Sequence, residues 1–133
     1  VDGVKHKDGQ VYTDQINEKT ANAGVTFKKT VQTITAATDG ATVTFDLAKG
    51  NIHTVTLGGN RTLALSNPTV GQCFIIRLQQ DGTGSRTVTW FSTIKWPGGS
   101  APTLTTTANK TDTFGFICTA SDQYDGYIVG IGL

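Results

Sequence analysis

"TVTFDLAKGNIHTVTLGGNRTLAL", residues 42–65, decides the fold class. Its first residues alternate, so Val43, Phe45 and Leu47 are expected on one face of a strand, with the polar residues between them on the other. The remainder consists of two alternating runs on either side of Gly58-Gly59-Asn60. Because Gly and Asn tolerate positive φ angles, this tripeptide predicts a tight β-hairpin.

The β pattern continues towards the C-terminus. "QCFIIRLQQ" (72–80) is more continuously apolar and predicts a central strand that is covered on both faces. Further runs follow at 87–91, 112–120 and 127–133, and we expect the last of them to be paired. About eight strands with turn signals between them predict an all-β head: a single antiparallel β-sandwich, jelly-roll-like, with an open barrel as the second choice.

Segment 1–30 differs in kind from the rest of the chain. It is more charged, scarcely alternates and carries apolar residues only at wide intervals. We therefore place a boundary near residue 30. The predicted organisation is a short extended N-terminal stalk or trimerisation segment (1–30) followed by a β-sandwich head (31–133).

Composition excludes several classes of function. A length of 133 residues suffices for one domain with its own core. A net charge of +1 and only 16% charged residues argue against electrostatic binding to nucleic acid or to an anionic membrane. No apolar run approaches the roughly 18 residues of a membrane span, and the N-terminus lacks a signal-peptide pattern. Because the chain starts at Val1 without Met, we expect a fragment, a processed product or the ordered part of something longer.

The titratable residues form no catalytic or metal-binding pattern. His6 and His53 have no local partner and are expected to be solvated. Asp122 and Asp125 could supply part of a calcium shell, but Asp is also a common turn residue. We therefore expect no catalytic residue, no metal ligand and no cofactor.

The two cysteines leave two alternatives open. Cys73 and Cys118 both lie in apolar, strand-like runs, where a free cysteine behaves as a small hydrophobic residue. Buried thiols are favoured over a disulfide because a domain of this size does not need one.

Aromatic residues near turns are the candidate ligand contacts. Trp90 continues the parity of its strand and is expected in the core, whereas Trp96 is expected at a sandwich end or an interface. Tyr124 and Tyr127 flank a turn that looks exposed, and exposed aromatic rings can stack on sugars. The candidate ligand-facing residues are Trp96, Asn109 and Tyr124.

Motifs in both segments resemble those of a known class of protein. "INEKT" (16–20) and "AGVT" (23–26), together with "DGV" and "KDG" upstream, resemble the tandem repeats of tailed-phage structural proteins. "FKKTV" (27–31) departs from the repeat, so the array is expected to end there. The rest resembles the C-terminal β-domain of phage fibre and decoration proteins, through "GNRTLAL", "RTVTW", "IKWPGG", "APTLTTTANKTDTFGF" and "DGYIVG".

The resemblance implies a virion protein of the fibre, spike or capsid-decoration type, usually a homotrimer, and carries over no catalytic residues. A trimer also has a physical rationale, because sparse apolar residues in an extended segment become buried only between copies. The residues expected to line or approach a threefold contact are Val11, Ile16, Val25 and Phe27.

Three function classes follow from these observations. The first is a non-enzymatic trimeric fibre or knob, or a capsid decoration, assembled in the bacterial cytoplasm and carried on the virion; its partners are further copies of itself and other virion proteins. The second is a tail-fibre module that recognises a host surface glycan. The third, a depolymerase or lyase, would need paired carboxylates about 5–9.5 Å apart, whereas the head's Asp residues lie mostly in expected turns.

Overall fold

The chain divides into two compact units, Val1–Val31 and Gln32–Leu133. This division falls close to the boundary expected near residue 30, and the stalk role of the first unit stays a prediction. Within the first unit, strands β1 (Lys5–Lys7) and β2 (Gln10–Tyr12) pair antiparallel. The computed structural model describes residues 5–7, 10–12, 24, 26 and 28–133.

The second unit is all-β, as predicted. Besides its strands it contains two three-residue 3-10 turns, Leu47–Lys49 and Pro97–Gly99. In the part of the chain that the structure describes, no helix has the length and apolar character needed to cross a bilayer. The strands are β3 (Ile34–Ala36), β4 (Thr42–Asp46), β5 (Ile52–Leu57), β6 (Arg61–Ser66), β7 (Cys73–Gln80), β8 (Val88–Thr89), β9 (Thr93–Lys95), β10 (Thr111–Ala120) and β11 (Gln123–Gly130).

From β3 to β8 the chain alternates between two sheets. β4, β6 and β8 form a three-stranded parallel sheet. β3, β5 and β7 run parallel in a six-stranded sheet of order β3-β5-β7-β10-β11-β9. Two parallel neighbours in one sheet are therefore connected by a strand of the other sheet. The result is three stacked coils, formed by β3 and β4, by β5 and β6, and by β7 and β8. The antiparallel hairpin β10–β11 follows these coils.

This topology corrects the expected antiparallel, jelly-roll-like arrangement. The β5 and β6 runs, predicted to be a hairpin, lie in different sheets. A type I′ hairpin needs positive φ at both central residues, and Gly58, Gly59 and Asn60 all have φ outside that region. The predicted hairpin is therefore wrong, although the strand positions on both sides of it are right.

The glycines at this corner make room for an ion pair between coils. A Cβ at Gly58 would lie 2.7 Å from Oδ2 of Asp39, and one at Gly59 would lie 2.6 Å from Nη1 of Arg61. Arg61 donates from Nε to Oδ1 of Asp39 at 2.7 Å and from Nη2 to Oδ2 at 2.8 Å. This two-pronged contact lowers the pKa of Asp39 and joins the first coil to the second.

The opposite corner is held by side-chain amides. Asn67 donates from Nδ2 to Oδ1 of Asp46 at 2.8 Å, which again joins the second coil to the first. Gln72, at the start of the third coil, donates to the Leu47 carbonyl at 3.0 Å and to Oδ1 of Asn51 at 2.7 Å. Stacked corners of this kind fix the register of a parallel coil, which the strand pattern alone does not specify.

Both sheets contribute side chains to one core. The parity predicted for β4 is confirmed, because Val43, Phe45 and Leu47 are buried. The central position of β7 is also confirmed. The remaining buried apolar residues are Val55, Leu57, Leu63, Phe74, Ile76, Leu78, Phe91, Phe114, Phe116, Cys118 and Tyr124.

His53 is a core residue, so its expected solvation is wrong. Its ring is fully buried and meets Phe45 edge-on at a centroid distance of 5.9 Å. Nε2 lies 2.9 Å from the Gly50 carbonyl. The alternation of β5 places position 53 on the same face as Val55, and that face is the buried one.

Both cysteines are free thiols, so the prediction of thiols rather than a disulfide is confirmed. Cys118 is buried, and burial raises the pKa of its thiol. Cys73 is exposed, which corrects the expectation of burial. In the sheet Cys73 is paired with Ile117, so it faces away from the core that Cys118 enters.

The last residue of the chain is paired, as predicted. Leu133 donates its amide to the Thr111 carbonyl at 2.9 Å and accepts from the Thr111 amide at 3.1 Å. The buried Asp112 carboxylate accepts from the Thr105 amide at 2.6 Å and from the Gly132 amide at 2.8 Å. One buried side chain therefore anchors both the loop before β10 and the C-terminal residues.

The turn between β7 and β8 predicts a specific acid response. The Asp81 carboxylate accepts hydrogen bonds from the Arg86 side chain and from the amides of Gly84 and Thr83. These bonds lower the pKa of Asp81 from 3.8 to about 2. Because the pKa of Asp81 is lower in the folded state than in the unfolded state, its ionised form stabilises the fold. This contribution is complete above about pH 4 and is lost as the pH falls towards 2. Asp81→Asn should therefore flatten the decline in urea-unfolding stability between pH 4 and pH 2. An unchanged pH slope relative to wild type would contradict this assignment, and Asp122→Asn serves as the matched control.

Candidate functional site

An aromatic cluster joins the hairpin to the loop that contains β8 and β9. Trp90 is half-buried and meets Phe114 edge-on at a centroid distance of 5.0 Å, as expected of a core-facing ring. Trp96 meets Trp90 at 4.9 Å and Phe116 at 5.7 Å. Gly126 makes space for the Trp96 ring, because a Cβ there would lie 2.7 Å from the ring.

The structure does not bring the three candidate ligand-facing residues together. Tyr124 is 2% exposed and packs on Phe74 and Phe91, so the expected exposed ring is wrong. The turn is shorter than expected, because β11 already begins at Gln123. Trp96 is half-buried in the same cluster, whereas Asn109 is exposed in the turn before β10. Only Asn109 is therefore fully at the surface.

A shallow pocket of about 290 Å³ lies where β6 ends beside the β10–β11 turn. Leu65 and Phe91 supply part of its apolar wall, and Asn67, Ser92 and Asp122 supply polar groups. The backbones of Asn67 and Asp122 both have positive φ, 54° and 52°. Ser92 donates its hydroxyl to the Asp122 carbonyl at 3.1 Å. We call this cavity the hairpin pocket.

A more polar groove of about 500 Å³ lies at the first coil. Thr35 and Thr44 contribute hydroxyl groups, and Asp46 and Lys49 lie at its margin. Thr35 already donates to the Lys49 carbonyl at 3.3 Å, and the Asp46 carboxylate is 3.8 Å from Nζ of Lys49. Asp46 and Lys49 are thus engaged with each other, and Asp39, which also lines the groove, is paired with Arg61.

The outer face of the six-stranded sheet, which points away from the core, carries exposed apolar side chains among Thr, Gln and charged residues. Val129 on β11 is 60% exposed, Ile34 on β3 is 58% exposed and Tyr127 on β11 is 46% exposed. The sequence predicted exposure for Tyr127 but gave no sign that these three residues share a surface. The strand register is needed to place Ile34 beside the other two, because β3 and β11 are far apart in the chain.

The four residues predicted to contact other copies belong to the first unit. Val11 lies in β2, where its backbone pairs with His6. Ile16, Val25 and Phe27 lie outside the described residues. Their contact with other copies stays a prediction.

No metal site is evident in the described part of the chain, where no group of three or more His, Cys, Asp or Glu side chains comes together. Asp125 lies within β11 rather than in the turn with Asp122.

A family model described as "Putative phage tail fibre C-terminal domain" matches residues 41–119, which is more than half of the chain. The chain belongs to this family. The match runs from just before β4 through nearly all of β10, so it contains the buried apolar core residues given above except Tyr124. No curated protein matches the chain, and no solved structure does.

Membership of the phage tail fibre C-terminal domain family confirms the resemblance at the level of a phage fibre protein. The match begins after the N-terminal segment, so the tandem-repeat interpretation of residues 1–27 stays a prediction.

Proposed function

We propose that this chain is a non-enzymatic structural domain of a phage tail fibre, assembled as a homotrimer in the bacterial cytoplasm and carried on the virion. The family match over residues 41–119 is the observation that carries this proposal. Its partners are two further copies of the chain and the neighbouring virion proteins.

The carboxylates of the head support a structural role. Asp39, Asp46 and Asp81 each accept hydrogen bonds that hold a corner of the coil together. Asp112 accepts two backbone amides near the C-terminus. These side chains stabilise turns, whereas a glycosidase needs a pair of carboxylates that face one substrate.

The native mass of the chain in solution tests the assembly. Light scattering coupled to size exclusion should give about three times the 14.1 kDa of one chain. A mass of one chain at micromolar concentration would contradict the trimer. Capsid decoration, the other virion position expected from the sequence, is distinguished by the location of the domain on the particle rather than by its mass.

A glycan-binding role is a second candidate, and the hairpin pocket favours it. Its lining joins apolar groups of Leu65 and Phe91 to the polar side chains of Ser92 and Asp122, a combination that suits a sugar ring. Asp122→Ala should then reduce binding of the chain to host cells, while Asp125→Ala should not. Equal binding by wild type and Asp122→Ala would contradict this second role.

A further inference from the structure

We infer that copies of this chain pack against each other through the outer face of the six-stranded sheet. The inference rests on the proposed function, because it needs an assembly of several copies. It adds a surface in the β head to the contacts expected from the N-terminal segment.

The centre of this face is a single cross-strand row. Ile34 is paired with Ile52, and Ile52 with Ile75. Ile75 is paired in turn with Gly115, and Gly115 with Tyr127. Residues paired in this way point to the same side of a sheet, so five strands present one apolar row to solvent.

Neighbouring residues widen the row into a patch. Cys73 and Ile117 are paired with each other two residues along the strands from Ile75 and Gly115, and both face outwards. Val129 lies at a β-bulge of β11, and its Cγ2 is 3.3 Å from where a Cβ on Gly115 would be. A contiguous apolar patch of this kind marks an interaction surface in a soluble protein.

The composition of β7 indicates that this face is covered. Adjacent apolar residues, Ile75 and Ile76, predict a strand that is buried on both sides. Within one chain Ile76 is fully buried, whereas Ile75 on the outer face is only partly buried. A second layer over the outer face would complete the environment that the sequence of β7 predicts.

The size of the face fits a partner of the same kind. Six strands about 4.8 Å apart give a width of about 24 Å, and the eight residues of β7 give a length of about 26 Å. The flat outline is thus about 600 Å². A standard protein interface takes about 800 Å² of accessible surface from each partner, and corrugated side chains expose more area than a flat outline.

Charges on the face favour a second copy over a partner of one charge sign. Arg77 lies on one side of the apolar row, and Asp125 lies beside Lys95 on the other side. The ion pairs formed within the described part of the chain, Asp46–Lys49, Asp39–Arg61 and Asp81–Arg86, use none of these three residues. Because the face carries both charge signs, Arg77 of one copy and Asp125 of the next form a complementary pair of charges.

The test compares two valine substitutions in the full chain. Val129→Asp places a charge on the face, and Val70→Asp places the same charge at a residue that is equally exposed, 62%, but lies in the turn before β7. Native mass and the alkylation rate of Cys73 are measured, with the buried Cys118 as the internal reference for an intact core. Thermal melting by circular dichroism establishes that each variant is folded.

In the wild type and in Val70→Asp we expect an oligomer in which Cys73 is protected from alkylation. Val129→Asp should weaken association at least about 30-fold and make Cys73 reactive, since an unpaired charge buried in an interface is strongly unfavourable. An oligomeric Val129→Asp with protected Cys73 would overturn this surface while leaving the proposed assembly intact. A monomeric wild type would instead overturn the assembly itself and this inference with it.

Discussion

Replacement of Phe114 by alanine should lower the free energy of unfolding by about 3–5 kcal/mol, the range observed for large-to-small changes of buried aromatic residues. Phe114 is fully buried and meets Trp90 and Trp96 edge-on at centroid distances of 5.0 and 6.0 Å. Its removal therefore leaves a cavity in the cluster that joins the hairpin to the β8–β9 loop. Urea unfolding followed by tryptophan fluorescence measures the change, because both tryptophans report on this cavity.

Val70→Ala is the control for this prediction, since Val70 is exposed and lies outside the core. It should change the free energy of unfolding by less than about 0.5 kcal/mol. Phe114→Leu should fall between the two, because it retains most of the apolar volume. A Phe114→Ala variant as stable as the Val70→Ala control would show that the aromatic cluster is not the centre of the core.

Gly126→Ala should destabilise the fold by about 1–3 kcal/mol, although it adds only one methyl group. The new Cβ would lie 2.7 Å from the Trp96 ring and 2.8 Å from Cγ2 of Ile94. Both groups lie on the path from β9 to the following turn, so they can yield only if that segment moves. The tryptophan emission spectrum of the folded variant should shift together with the unfolding midpoint.

Gly82→Ala is the matched control, because a Cβ at Gly82 would meet no atom within 4 Å and Gly82 is exposed. Its stability should stay within about 0.5 kcal/mol of the wild type. If the two glycine variants behaved alike, close packing of Trp96 on the β11 backbone would be ruled out.

The sequence predicts the strands of this fold better than their connections. The alternation at 43–47 and the apolar run at 72–80 lead correctly to a buried face and a central strand. The same alternation fits both a hairpin and a coil, because both place every second residue inwards. The contacts that accompany the coil, such as the Asp39–Arg61 ion pair, join residues 22 positions apart and show no local pattern.

The candidate site was harder to predict, for a related reason. Tyr124 looked exposed because Ser, Asp and Gln precede it, but β11 begins at Gln123 and its alternation turns the ring into the core. Residue type alone misplaces His53 and Cys73, whereas the parity of their strands puts His53 in the core and Cys73 on the outer face. The apolar outer face requires pairings between strands as distant as β3 and β11, and only the register supplies these.

The family match begins at residue 41, just before the second strand of the coil. The matched segment contains β4 to β8, the part in which strands alternate between the two sheets, and it runs on through most of β10. The coil brings the two sheets together around one core, and it leaves the outer face of the six-stranded sheet exposed.

The central claim, that this chain is a trimeric domain of the tail fibre, is tested most directly by a cryo-electron microscopy map of the phage particle that carries it. The account predicts density for the two-sheet coil on the tail fibres, present as three copies around the fibre axis. Density for this fold on the capsid surface, or as single isolated copies, would contradict it.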